Sequence, residues 1–127
     1  MTSQSGGIRA FIVEDEAIVL LELSLALEDL GYVIAGTASN LETGVALAHE
    51  LSIDIGLLDI NLGGCESWPI ASVLEARHIP FVFMSGYTRA SLPQGFAHRP
   101  LISKPYDLDA LNAALRAVRS AANSLQK

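Results

Sequence analysis

The sequence predicts an α/β fold: a doubly wound sheet of five parallel strands with helices on both faces. Short apolar runs alternate with stretches of helical length along the 127 residues, as strands joined by crossover helices do. Half of the residues are hydrophobic and only 6% aromatic, and alanine and leucine supply most of that half, which suits helices packed closely on a sheet. Apolar runs also end on polar residues, Glu14-Asp15, Asp59 and Ser85, with Lys104 after the last run. In parallel sheets functional groups gather beyond such carboxyl ends.

Met1 to Gly7 is small and polar and reads as a disordered leader. RAFIV (Arg9 to Val13) reads as a buried strand. Ala17 to Leu30 has helical length, with Gly31 as its stop. Tyr32 to Ser39 is β-branched and apolar, a second strand. Ser39-Asn40-Leu41-Glu42 resembles a capping box opening a helix toward Leu51. Ile55 to Ile60 is the third strand, and Asn61-Leu62-Gly63-Gly64 is loop chemistry, with two glycines able to take positive φ. A third helix is expected from about Ser67 to Arg77, with Pro69 in its first turn. Pro80 to Met84 is the fourth strand. Pro93, Gly95 and Pro100 leave little room for a regular fourth helix between Gly86 and Pro100, which is expected to be short or irregular. Leu101 to Ser103 makes a short fifth strand. The last helix starts near Asp107, with Leu108, Leu111, Leu115, Val118 and Leu125 at helical spacing. The expected organisation is one domain over residues 8–122 with a tail over 123–127.

Composition excludes several functions. A net charge of −6, a pI near 4.8 and only 8 Lys and Arg argue against nucleic acid, whose binding needs clustered cations. The longest apolar stretch, Ala17 to Leu27, is interrupted by Glu22 and Ser24 and falls short of the roughly 20 residues of a membrane span. No signal peptide is expected from the N-terminal sequence, and the lone Cys65 fits a reducing compartment. A soluble cytoplasmic protein is expected.

Carboxylates at two strand ends should meet in the fold. Like charges at short range repel, so the cluster calls for a cation, and all-oxygen ligands suit Mg²⁺. With a lysine and a hydroxyl nearby, a carboxylate nucleophile and Mg²⁺ suit phosphoryl transfer.

Glu14-Asp15 after the first strand, Asp59 after the third, Ser85-Gly86 after the fourth and Lys104-Pro105 after the fifth resemble the receiver domain family of response regulators over about residues 8 to 120. The resemblance implies a flavodoxin-like, CheY-like fold of strand order 2-1-3-4-5. It implies Asp59 as phosphoacceptor, with Glu14, Asp15, Asp59 and the backbone carbonyl of Asn61 ligating Mg²⁺. Ser85 would hydrogen-bond the phosphoryl group and Lys104 would pair with its oxygens, near the N–H groups of Asn61 and Gly86. The implied donor is a histidine kinase or histidine phosphotransfer protein. The role is two-component signalling through protein contacts or as a phosphate sink, without DNA-binding output and without enzymatic activity beyond its own phosphorylation and dephosphorylation.

Two departures stand out. Asp59 and Ser85 are 26 residues apart and Ser85 and Lys104 are 19 apart, both shorter than in the commonest receivers. Leu101 occupies the position, three before the lysine, where the family usually carries an aromatic switch residue. DINLGG and PFVFMSGY instead resemble a subgroup with a Phe-x-x-Ser/Thr-Gly-Tyr signature and a modified fourth helix. That likeness implies that Tyr87 or the segment from Gly86 to Pro100 carries the conformational signal.

The first helix has more apolar residues than one face can bury. The receiver resemblance implies that this helix and the loop after the fifth strand dock the phosphodonor, through Ile18, Val19, Glu22, Pro105 and Tyr106, with Tyr87 after the fourth strand as a further contact; incidental surface exposure is the other reading. His49, His78 and His98 show no zinc spacing. Cys65 reads as a loop residue and Trp68 as packing for the third helix. An aspartyl-phosphate hydrolase would need an acid two residues after Asp59, where Asn61 stands. A flavodoxin-like cofactor binder would need a phosphate-cradling loop where Glu14-Asp15-Glu16 stands. A receiver detached from a hybrid kinase would share this sequence pattern, and a monomer is favoured.

Overall fold

The computed structural model describes residues 7–85, 100–103 and 107–125. Five strands form the parallel sheet: Arg9–Val13 (β1), Val33–Ala38 (β2), Ile55–Asp59 (β3), Phe81–Ser85 (β6) and Leu101–Ser103 (β7). Their order is β2-β1-β3-β6-β7, the order 2-1-3-4-5 expected from the sequence once the sheet strands alone are counted. Between β3 and β6 lies a two-stranded antiparallel hairpin, Asn61–Leu62 (β4) and Cys65–Glu66 (β5), where a plain loop was expected. The helices are Ala17–Asp29 (α1), Leu41–Glu50 (α2), Trp68–Ala76 (α3) and Leu108–Leu125 (α4). Residues 1–6, 86–99, 104–106 and 126–127 lie outside the described residues, and with them the expected leader and the expected short or irregular fourth helix. The last helix runs through Leu125, past residue 122.

Strand alternation divides the core in two. Side chains two residues apart share a face of a sheet. Thus Phe11 and Val13 of β1 join Phe81 and Phe83 of β6 under α2 and α3. Ala10, Ile12, Val82 and Met84 join Leu23 and Leu27 of α1 and Leu111, Leu115 and Val118 of α4 on the other face. Both faces are therefore covered, which is why the strands read as unbroken apolar runs. Gly56 in β3 lets α3 come close: a Cβ there would stand 2.8 Å from Leu74 Cδ1 and 3.2 Å from Phe81 Cβ.

The helix ends follow local chemistry. The cap of α2 is Asn40 rather than Ser39: Asn40 Oδ1 accepts the Thr43 N–H at 2.8 Å. The expected box was one residue out of phase, because Asn and Ser are equally good caps. Gly31, at φ 98°, ends α1, with the Tyr32 N–H reaching back to the Leu27 carbonyl. His78 performs the same reversal after α3 at φ 61°, with the Ile79 N–H on the Leu74 carbonyl. Beside it the Arg77 guanidinium donates to the carbonyls of Ala48 and Leu51, closing the end of α2.

Candidate functional site

The site lies at the carboxyl edge of the sheet, where β1 and β3 are neighbours although their crossovers leave in opposite directions. β1 connects to β2 on one side while β3 leads toward β6 on the other. Such a switch point opens a crevice beyond the strand ends. Val13 is in register with Leu58, so the residues that follow, Glu14 and Asp59, emerge side by side.

Glu14, Asp15 and Asp59 come together there. Each offers a carboxylate oxygen, and these oxygens lie within 4.8 Å of one another. Their environments differ. Glu14 is fully buried and Asp59 is 6% exposed, whereas Asp15 faces solvent. Glu14 is held by its own turn: Oε2 accepts the Glu16 N–H at 3.0 Å, and its backbone N–H donates to Ala38. A group of three hard oxygen donors, with neither Cys nor His in it, fits Mg²⁺ rather than a thiophilic metal.

Ser85 ends β6, buried at 3% exposure, one residue beyond Met84, which is in register with Asp59. The hydroxyl-bearing strand end therefore sits on the far side of Asp59 from Glu14. Phe83 anchors this strand, meeting Trp68 edge-on at 5.4 Å between ring centroids and Phe81 at 5.3 Å. Trp68 thus ties the start of α3 to the strand that ends at Ser85, as its packing role suggested. Leu101 is in register with Phe83 and packs into the core under α2 and α3.

Asn61 opens the hairpin two residues after Asp59. Its Oδ1 accepts the Gly64 N–H at 2.9 Å, and Gly63 and Gly64 both have positive φ, 62° and 97°. Such a pair of central residues makes the tight hairpin turn whose twist matches its strands. The turn also faces the acids, since a Cβ on Gly63 would stand 3.8 Å from Asp15 Oδ2. The Gly-Gly dipeptide was the signal for this hairpin. Lys104, Tyr87, Pro105 and Tyr106 lie outside the described residues.

On α1 the exposed stripe is Ile18, Leu21 and Leu25, at 75%, 60% and 54% exposure. Glu22 is exposed beside it, while Val19 is half-buried against the core. Leu21 and Leu25 had not been singled out in the sequence; their spacing from Ile18, three and seven residues, was the available signal. Among the described residues no helix is long and apolar enough to cross a membrane.

The response regulator receiver domain family matches residues 10–116, and the chain belongs to it. This makes the protein a receiver domain of two-component signalling, a family of signalling domains rather than classical enzymes. The chain is similar to SdrG from Sphingomonas melonis Fr1, at 37% identity over 91% of this chain and 98% of that one, with a TM-score of 0.79. The response regulator PhyR from Brucella abortus shares the fold at 24% identity over 96% of this chain and 52% of that one, TM-score 0.80. The transcriptional regulatory protein PdtaR of Mycobacterium tuberculosis is 28% identical over 85 residues, 66% of this chain and 42% of the relative. The chain therefore spans less than half the length of the curated relatives it matches.

Proposed function

We propose that this receiver is a Mg²⁺-dependent phosphoacceptor that takes a phosphoryl group on Asp59 from a histidine kinase or histidine phosphotransfer protein. The observation that carries the reading is the cluster of Glu14, Asp15 and Asp59 at the switch point. Glu14, Asp15, Asp59 and the Asn61 carbonyl hold the ion in this reading. Mg²⁺, when bound, offsets the negative charge of acids and phosphoryl oxygens alike.

The chemistry is a displacement at phosphorus. A carboxylate oxygen of Asp59 attacks in line, the phosphorus–nitrogen bond of phosphohistidine breaks, and the imidazole nitrogen leaves with the electron pair. The product is an acyl phosphate on Asp59. Burial of Asp59 keeps competing water away, while exposed Asp15 leaves an open side for the donor. Ser85 donates its hydroxyl to a phosphoryl oxygen and Lys104 pairs with another, so phosphorylation pulls on the ends of β6 and β7.

The output runs through protein contacts, with the protein acting on a downstream partner or as a phosphate sink. The Ile18, Leu21 and Leu25 stripe, with Glu22, Pro105 and Tyr106, forms the docking face for the phosphodonor. Tyr87 and the segment from Gly86 to Pro100 carry the signal, because Leu101 lacks the ring of the usual switch residue. The relative SdrG has been solved in a BeF3-activated conformation, at 36% identity and a TM-score of 0.76, which supports this reading for a chain of this kind.

Incubation with acetyl phosphate or phosphoramidate, with and without Mg²⁺, tests the proposal by intact mass. A gain of one phosphoryl group only when Mg²⁺ is present is expected. No gain, with Mg²⁺ binding established by titration, contradicts it.

A further inference from the structure

The opposite edge of the sheet carries a second polar site, independent of the phosphoacceptor reading. A cavity of about 260 Å³ opens between the start of β1, the end of α1 and α4, lined by Ile8, Leu30, Gly31, Tyr32, Asn112, Arg116 and Arg119. Ile8 and Tyr32 directly precede β1 and β2, so it sits at the amino edge, about one strand length (roughly 17 Å) from the acids.

Its chemistry is cationic in an acidic protein. Asn112, Arg116 and Arg119 fall at helical spacing and form one stripe of α4. Among the described residues no carboxylate pairs with either arginine; the contact Arg119 makes is with the Tyr32 ring, its Cζ 5.5 Å from the centroid. In a chain of net charge −6 with only 8 Lys and Arg, two arginines that line one cavity and pair with no carboxylate among the described residues are unlike a general solvated surface.

The unmet hydrogen bonds point the same way. Tyr32 is 6% exposed, and its hydroxyl and Arg119 Nε are both shut off from solvent without a partner. Buried polar groups are nearly always satisfied, and here the two orphaned donors belong to residues that line one cavity. The carbonyls at the end of α1 are already engaged, since Ala26, Leu27 and Glu28 accept from Leu30, Gly31 and Tyr32. The carboxylates of Glu28 and Asp29 in that last turn are exposed, where solvent screens them from the pocket.

From this convergence we infer that the Tyr32, Asn112, Arg116 and Arg119 pocket binds a small oxyanion, a phosphate monoester or a carboxylate. Guanidinium groups match such acceptors in fork geometry, the phenol and carboxamide add donors, and the volume lies below the roughly 300–1,000 Å³ of pockets for drug-sized ligands.

The test is a titration of the ¹⁵N-labelled full chain with inorganic phosphate, and separately with acetate, in chelator-treated buffer, against KCl at matched ionic strength. Saturable shifts at Ile8, Gly31, Tyr32 and Asn112 are expected, retained in Asp59→Asn and weakened about tenfold or more in Arg116→Gln/Arg119→Gln. Whichever anion saturates at lower concentration identifies the source class. Tyr32→Phe, which removes an orphaned hydroxyl, is expected to melt no lower than wild type in anion-free buffer while gaining less from added anion. Shifts that follow ionic strength alone, binding unchanged in the double arginine variant, or a Tyr32→Phe protein that loses stability without anion would overturn the inference.

Discussion

Asn61 Oδ1 accepts the N–H of Gly64 at 2.9 Å, closing a two-residue turn that begins just past Asp59. The bond occupies one face of the side chain that in an aspartyl-phosphate hydrolase would be a proton-donating acid, and it leaves the Asn61 backbone at the start of a rigid hairpin. Gly64 sits at φ 97°, where a Cβ is strained. Gly64→Ala is expected to cost about 1–2 kcal/mol in denaturant unfolding and to weaken Mg²⁺ binding by displacing Asn61. Unchanged stability and unchanged affinity together would show that the turn does not position the site.

The acids divide by burial, and their variants should divide likewise. Asp15 is exposed, so Asp15→Asn is expected to leave the melting temperature nearly unchanged while lowering Mg²⁺ affinity about tenfold or more. Glu14→Ala should lower Mg²⁺ affinity likewise and, unlike Asp15→Asn, also shift the melting temperature, because Glu14 is fully buried and its Oε2 accepts the Glu16 N–H at 3.0 Å. Calorimetric Mg²⁺ titration beside thermal melting separates the two effects.

The α1 stripe carries a prediction about partners rather than stability. Leu21 and Leu25 are more than half exposed, so Leu21→Ser/Leu25→Ser should change stability by no more than about 0.5 kcal/mol per site. Labelling by acetyl phosphate should be unaffected, while transfer from a panel of phosphorylated histidine kinases should slow. Equal transfer rates for variant and wild type would remove α1 from the docking face.

Arg77 joins two helices through their ends. Its Nη1 donates to Leu51 at 2.9 Å and to Ala48 at 2.6 Å, while the following residue, His78, turns the chain at φ 61°. Arg77→Ala is expected to cost about 1 kcal/mol. His78→Gly should be neutral or stabilising, because glycine takes positive φ without a Cβ penalty. A destabilised His78→Gly protein would mean that the imidazole makes contacts beyond its backbone role.

Legibility followed the reach of each signal along the chain. The strands were readable because burial on both faces makes each a continuous apolar run, and Glu14, Asp15 and Asp59 were readable because they end those runs. Asn61 to Gly64 has the sequence of a loop, since strands of two residues each have no room to show alternation; only Gly63-Gly64 marks the hairpin. At α2 the sequence offered Ser39 and Asn40 as adjacent caps, and local propensity could not choose between them. The pocket of Tyr32, Arg116 and Arg119 had no linear signature, because it forms only when α1 and α4 meet across more than 80 residues of sequence.

Whether Asp59 is the phosphoacceptor is read at the residue itself by reductive trapping. Borohydride converts an aspartyl phosphate to homoserine, so peptide mapping after Mg²⁺-dependent labelling reads the modified residue itself. Homoserine is expected at Asp59 in the wild type and nowhere in Asp59→Asn. Homoserine at Asp15 or Asp54 in the wild type, or labelling that persists in Asp59→Asn, would contradict that role.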